Sequence, residues 1–429
     1  ACIRTSMHPH LLRSAPSRYS RSTARSRALH ERRLGALGTT PYLWNGVLRP
    51  VVLLCLIVAL PLVSFGCGCE KSVYKIGAVL SLTGPAAPLG QPEQRSLMLL
   101  EEKINEEGGI DGHPVSFLIR DDESEPAKAN TAVTKLINQE NVAAIIGGST
   151  TGSTLAMAKV CEKSRVPQVC CAAGTKITQP VKEYVFRTPP SDAMAIEKLL
   201  GYLEYDLKVK KIAVLHDANA YGTGGADELE SKCGDYGIVV VARDNYGSTD
   251  TNMIGQLTKI QGTDAEAVVV WGTNPGPASI AKNMKELNMT IPFVGSHGIA
   301  NKKFIELAGE AANGVVFPAG RLLIPSSIPE GSEWRKAVEE FSKEYKDKYD
   351  MEIDTFAAHG WDAGLIITEA MKEAGTDSEK LNEQIEKTRN LVGIDGAYNY
   401  SPKDHDGLSV DDLIMIKIEN GEWTEVKSS

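Results

Sequence analysis

The sequence predicts an α/β protein of two doubly wound, parallel-sheet lobes, and three observations carry that expectation. Strand and helix patterns alternate with short polar joints from Tyr74 to a fourth strand at 167–172, and the alternation then begins again. One stretch, 142–158, runs from a strand-length apolar segment through Gly147-Gly148-Ser149-Thr150-Thr151-Gly152 into an Ala- and Met-rich helical start. The last quarter changes to long helices, which must pack on an existing sheet, so the chain is expected to return to the first lobe near Ala319.

Taken in order, residues 75–81 read as a strand, followed by a helix over 92–107 that stops at Gly108-Gly109. The next strand is 115–120, then a helix over 126–138 opened by Pro126. The stretch at 142–158 supplies the third strand and helix, and 167–172 the fourth strand. In the second series a helix spans 193–205, and strands at 211–216 and 237–245 enclose a helix over 225–233. Strands at 267–272, 292–295 and 314–318 follow, with a helix over 277–287. Helices at 333–349, 355–374 and 378–388 and strands at 397–400 and 413–419 close the pattern. The expected division is 1–69 leader and signal segment, 70–188 and 319–400 first lobe, 189–318 and 401–429 second lobe. Ligands of such sheets sit beyond the carboxyl ends of the strands, which places the expected site in the cleft between the lobes.

The turn at Gly147–Thr154 has a chemistry of its own. Unpaired N–H groups, several hydroxyls and the positive end of a helix dipole converge there, and glycines let a ligand approach the backbone. A carboxylate or phosphate suits such a turn; an ordinary Ser/Thr helix cap is the plain alternative.

Of the 429 residues, those up to Arg49 hold nine Arg and one acid, Glu31, leaving 37 basic against 54 acidic residues, a balance of −17. That balance argues against a nucleic-acid partner. Residues 51–65 are almost wholly apolar, short for a spanning helix and suited to a signal-peptide core. Cys67, with Cys69 as the alternative, is the candidate lipid-attachment cysteine of a bacterial lipoprotein; a plain cleaved secretory signal is the other reading. The Arg/Ser-rich stretch before Val47 does not read as structure, and Val47 is the expected translation start. Cys161, Cys170, Cys171 and Cys233 lack zinc-type spacing and read as buried thiols. No metal and no cofactor are expected.

Several segments together resemble a known family. Lys75-Ile76-Gly77-Ala78-Val79-Leu80-Ser81-Leu82-Thr83-Gly84-Pro85 looks like its first strand and turn. Ile104-Asn105-Glu106-Glu107-Gly108-Gly109-Ile110-Asp111-Gly112 is similar to its IN-x-x-GGI-x-G signature. Asp121-Asp122, the Gly147–Thr154 turn, Gly298-Ile299-Ala300-Asn301 and Gly309-Glu310-Ala311-Ala312-Asn313-Gly314 complete the match. The family is the leucine/isoleucine/valine-type solute-binding proteins of ABC importers, with the type I periplasmic-binding (Venus-flytrap) fold. The resemblance implies two lobes joined by three crossovers, near Thr188, Ala319 and Tyr400, closing on a small amphipathic carboxylate and delivering it to a membrane permease. It implies ligand contacts from Ser149, Thr150 and Thr151, from Ala172, Ala173 and either Gly174 or Thr175, and from Tyr221 in a Tyr-Gly pair.

Three positions depart from the family pattern. The first-lobe aromatic before a Gly is Leu89 here; a second-lobe tyrosine falls near Asn274; and the glutamate that pairs with an α-ammonium is replaced by His297. A His cannot supply that negative charge, and no acid lies near the other matched positions, so the expected ligand is a carboxylate without an α-amino group, aromatic acids included. Branched-chain amino acids are the alternative. An enzyme is not expected: Gly-x-Ser-x-Gly, His-Glu-x-x-His, Walker and dinucleotide motifs are all missing. A sensor domain of the same fold would need a later membrane span or a DNA-binding helix-turn-helix, and neither pattern follows Glu70. The expected location is extracytoplasmic, with membrane contact through a lipid anchor only.

Overall fold

The computed structural model describes residues 71–427. The apolar segment 51–65 and the anchor candidates Cys67 and Cys69 lie outside the described residues.

The first series is β1 (Tyr74–Leu80), α1 (Ala87–Glu106), β2 (Val115–Asp121), α2 (Pro126–Asn138), β3 (Ile145–Gly147), α3 (Thr151–Ser164), β4 (Gln168–Cys170) and β5 (Val185–Arg187). Its strands form one all-parallel sheet in the order β2-β1-β3-β4-β5. The period-two alternation of β1 decides which face meets which helices. Ile76, Ala78 and Leu80 join one core with Leu97 and Leu100 of α1, while Val79 joins another with Val133 of α2 and Met157 of α3.

The second series is α4 (Asp192–Gly201), β6 (Lys211–Asp217), α5 (Ala220–Cys233), β7 (Val239–Tyr246), α6 (Ile254–Gln261), β8 (Ala267–Trp271), α7 (Gly276–Glu286), β9 (Phe293–Gly295), α8 (Lys302–Ala308) and β10 (Val316–Gly320). After it come α9 (Glu333–Tyr349), α10 (Thr355–Ala374), α11 (Ser378–Glu386), the hairpin β11 (Leu391–Val392) and β12 (Ala397–Tyr398), then β13 (Leu413–Glu419) and β14 (Glu422–Glu425). The second sheet has the order β14-β13-β10-β9-β8-β6-β7, with β13 and β14 antiparallel. Ala213 and Leu215 face a core with α6 to α8; Ile212 and Val214 face one with α4 and α5. The three late helices pack on the first sheet: Phe341, Ile367 and Leu381 share the core of Ile76.

Several elements differ from the sequence expectation, each for a local reason. Helix α1 begins five residues earlier than expected, because Pro88 fits a first turn whose N–H groups need no partner; Leu89 is therefore helical. Helix α5 begins at Ala220 because the Asn219 side chain accepts the Gly222 N–H at 2.9 Å, which puts Tyr221 on its first turn. The strand expected at 397–400 is a two-residue hairpin arm outside both main sheets. Residues 401–408 stay with the first lobe, where Leu408 joins its core and Asp406 pairs with Arg187, so the third passage falls between Leu408 and Leu413. Strands β5 and β14 and helix α6 carried too short a pattern to be read.

Candidate functional site

The carboxyl ends of the two sheets face one cavity of about 310 Å³. Leu89, Ser149, Thr150, Thr151, Ala172, Ala173, Tyr221, Asn274 and His297 all line it. Gly174 and Thr175 do not. Gly174 is packed under Thr151, whose Cγ2 would lie 2.5 Å from an added Cβ, and Thr175 Oγ1 accepts the Ala193 N–H at 3.2 Å.

At the turn before α3 the hydroxyl cluster divides its labour. Gly147 takes a positive φ of 100°, and an added Cβ would strike the Val79 carbonyl, so a side chain there is barred. Ser149 faces inward: its Oγ accepts the Ser81 N–H at 3.0 Å and donates to the buried Glu93 carboxylate. Burial holds Glu93 well above the usual carboxyl range, with the Ser149 bond partly opposing it. Thr150 is the N-cap, its Oγ1 accepting the Ser153 N–H at 3.2 Å. Thr151 is uncommitted: it is 3 % exposed and its hydroxyl has no hydrogen-bond partner among the described residues; the Ser153 hydroxyl is unpartnered too but does not line the cavity. The N–H groups of Thr151 and Gly152 have no intrahelical acceptor at this helix start. A free hydroxyl, free N–H groups and a helix N-terminus together can hold an anion.

Behind this wall the fully buried Arg187 donates from Nε and Nη2 to Asp406 Oδ1 at 3.1 and 2.9 Å, and from Nη1 to the Ala173 and Gly174 carbonyls. Burial alone would raise Asp406; Arg187, Thr178 and Gln179 hold it below its ordinary value.

The second-lobe wall is built differently. Tyr221, Trp271 and His297 form an aromatic corner with ring centroids 6.0–6.2 Å apart. The Tyr221 hydroxyl, Trp271 Nε1, both ring nitrogens of His297 and Asn274 Oδ1 lack partners among the described residues. Burial, helped by the charge of Arg187, pushes His297 down to about 3, so the imidazole is neutral. Its Nε2 lies 3.7 Å from Asp192 Oδ1, and burial pushes Asp192 up to about 8, with Arg187 partly opposing.

The expectation that no acid lies near the site is therefore corrected. Asp192 stands behind His297, and Asp395, from the segment between β11 and β12, lines the cavity itself. Thr355, Phe356 and His359 on the first turns of α10 line it too. These return-segment residues were missed, because no strand-to-helix turn marks them. The one available signal was the spacing of Phe356 and His359, which puts both on one helix face.

Two sheets with free polar groups on both sides of an interlobe cavity define a protein that encloses a small solute. Comparison with known proteins agrees. The chain belongs to the periplasmic binding protein family, whose model matches residues 73–422. It is 25% identical over 313 residues to the leucine-, isoleucine-, valine-, threonine- and alanine-binding protein of Pseudomonas aeruginosa, covering 72% of this chain and 81% of that one. Identity to Leu/Ile/Val-binding protein homolog 3 of Brucella melitensis is 29% over 243 residues, 56% of this chain and 66% of that one. Among solved structures, an extracellular ligand-binding receptor from Rhodopseudomonas palustris HaA2 matches with a TM-score of 0.77 and 26% identity, over 83% of this chain and all of that one. The branched-chain amino acid transporter substrate binding protein LivJ of Streptococcus pneumoniae, in complex with isoleucine, matches with 0.73 and 26%, over the same shares. These relatives are binding proteins, and the fold is that of type I periplasmic binding proteins. Among the described residues no helix is long and apolar enough to cross a membrane, and no group of side chains is arranged to hold a metal ion.

Proposed function

We propose that this protein works outside the cytoplasm as the solute-binding component of an ABC importer of the branched-chain amino acid type. It captures a small amphipathic carboxylate between its lobes and presents it to a membrane permease. The observation that carries this reading is the buried, unpartnered Thr151 hydroxyl at the start of α3. A carboxylate there gains charge-assisted bonds from that hydroxyl and the first N–H groups of the helix, while Leu89 and Phe356 offer an apolar surface to its body. Thr150 and Ser149 use their hydroxyls to shape the turn rather than to hold the ligand. An N-terminal lipid anchor is part of the same proposal.

A neutral His297 supports a ligand that lacks an α-amino group, since a neutral ring offers a buried α-ammonium no compensating charge. The names of the relatives support the alternative, a branched-chain amino acid. Thermal shift separates the two. A specific ligand at 100 times its dissociation constant adds about 2.7 kcal/mol of stability. The expected result is a shift of several degrees with one of a panel of aromatic and aliphatic acids. A shift with leucine or valine at micromolar levels, and none across the panel, overturns the preference.

A further inference from the structure

Asp395 sits in the cavity wall as a buried carboxyl without a hydrogen-bond partner, a condition that a cationic ligand group would relieve. It is 1 % exposed, and neither carboxylate oxygen has a hydrogen-bond partner among the described residues. Beside it stands His359, whose Nε2 lies 3.5 Å from Oδ2 without forming a hydrogen bond and whose Nδ1 is also unpartnered. The other charged groups acting on it, Asp362, Asp354 and Asp412, are all acids. Asp362 cannot release it, because its own oxygens accept the Ile394 and Asp395 N–H groups at 2.7 and 2.9 Å and the Tyr398 hydroxyl at 2.8 Å. A burial this complete costs several kcal/mol unless a partner compensates. Burial and the neighbouring acids hold the Asp395 carboxyl well above its ordinary range, and burial, with His297, pushes His359 down to about 3. The empty pair is thus uncharged, and a ligand cation is what would ionise it.

We infer that Asp395, supported by His359, is the counter-ion for a protonated amine on the ligand, a role carried by the return segment of the first lobe rather than by the second-lobe wall. This rests on the proposed capture of a carboxylate at Thr151 and adds the second pole of the solute. An α-ammonium and an amine remote from the carboxylate share this chemistry; the neutral ring of His297 favours the remote one.

Calorimetric titration of the full chain with three matched pairs tests it: 5-aminopentanoate against pentanoate, 4-(aminomethyl)benzoate against 4-methylbenzoate, and leucine against 4-methylpentanoate. The expected result is at least a tenfold preference for the amine in one of the first two pairs. That preference should fall to within threefold in Asp395→Asn and be kept in Asp395→Glu. Preference in the leucine pair that vanishes in Asp395→Asn supports the inference and overturns the His297 reading. An amine preference that survives Asp395→Asn, or none in any pair with the wild-type protein, overturns the inference. Thr151→Val separates the two proposals: if it weakens the plain acids while Asp395→Asn leaves amine preference untouched, the carboxylate reading stands and this one fails.

Discussion

The two walls of the cleft treat their polar groups in opposite ways. At the turn before α3, on the first-lobe wall, Ser149 and Thr150 are engaged with the protein while Thr151 is free. On the second-lobe wall Tyr221, His297 and Asn274 all carry unpartnered polar atoms. A buried polar group without a partner costs about 1–3 kcal/mol, so the second wall gains most when something arrives to satisfy it. The difference teaches that the turn before α3 is nearly complete before a solute binds, whereas the second-lobe corner is completed by it.

Four measurements break or sharpen that contrast. The largest effect is expected at the exception in that turn. Thr151→Val keeps the shape and removes the hydroxyl; affinity for the carboxylate should fall about tenfold to a hundredfold, the equivalent of about 1.5–3 kcal/mol. An unchanged dissociation constant in calorimetry means the anion binds elsewhere. Ser149→Ala, two residues away, should do the reverse. It orphans the Ser81 N–H and the Glu93 carboxyl, so denaturant unfolding should show a loss of about 1–3 kcal/mol with affinity within threefold. If affinity collapses while stability holds, the division between the neighbouring hydroxyls is wrong.

On the second wall, pH is the probe. The Asp192 carboxyl sits at about 8 in the folded chain against 3.8 as its ordinary value. A raised value means the stability it contributes is whole below 3.8 and is lost as pH rises through about 8. His297, lowered to about 3 from 6.5, has the opposite sign: its contribution is present above 6.5 and is lost as pH falls toward 3. Asp192→Asn should therefore remove a loss of at most about 1.4 kcal/mol per pH unit between about pH 4 and 8 and leave the profile above pH 8 unchanged. An unaltered profile between pH 4 and 8 shows that Asp192 is ionised in the native protein. The smallest effect belongs to Tyr221→Phe, which deletes a hydroxyl that has no protein partner. Affinity should drop about two- to tenfold, while the melting midpoint stays level or rises; a lower midpoint reveals an internal partner for that hydroxyl.

Much of this molecule was legible in its residues, and for physical reasons. Strand and helix patterns with clear periods, such as β1 and α2, identified the doubly wound architecture, because burial on one face enforces them. The turn before α3 was legible for the same reason: glycines and hydroxyls between a strand and a helix permit few geometries. Which hydroxyl stayed free was not legible, since that depends on Glu93 and Ser81, distant in sequence and adjacent only in the folded lobe. Asp395 and His359 escaped notice likewise. They reach the cavity through the return of the chain, and no local pattern records a contact of that kind. The sequence argument that no acid was close failed because it consulted only positions with a family counterpart.

Arg187 has a consequence for the orientation of a solute. Its guanidinium occupies the Ala173 and Gly174 carbonyls, which also accept the Asp192 and Ile177 N–H groups. Every main-chain acceptor at those two positions is thus spoken for, and that length of wall can offer an arriving solute only donors. Such a surface has handedness: an acid end can land on it and an amine end cannot. On the proposed reading, that stretch of the first lobe alone fixes which end of a solute can lie against it.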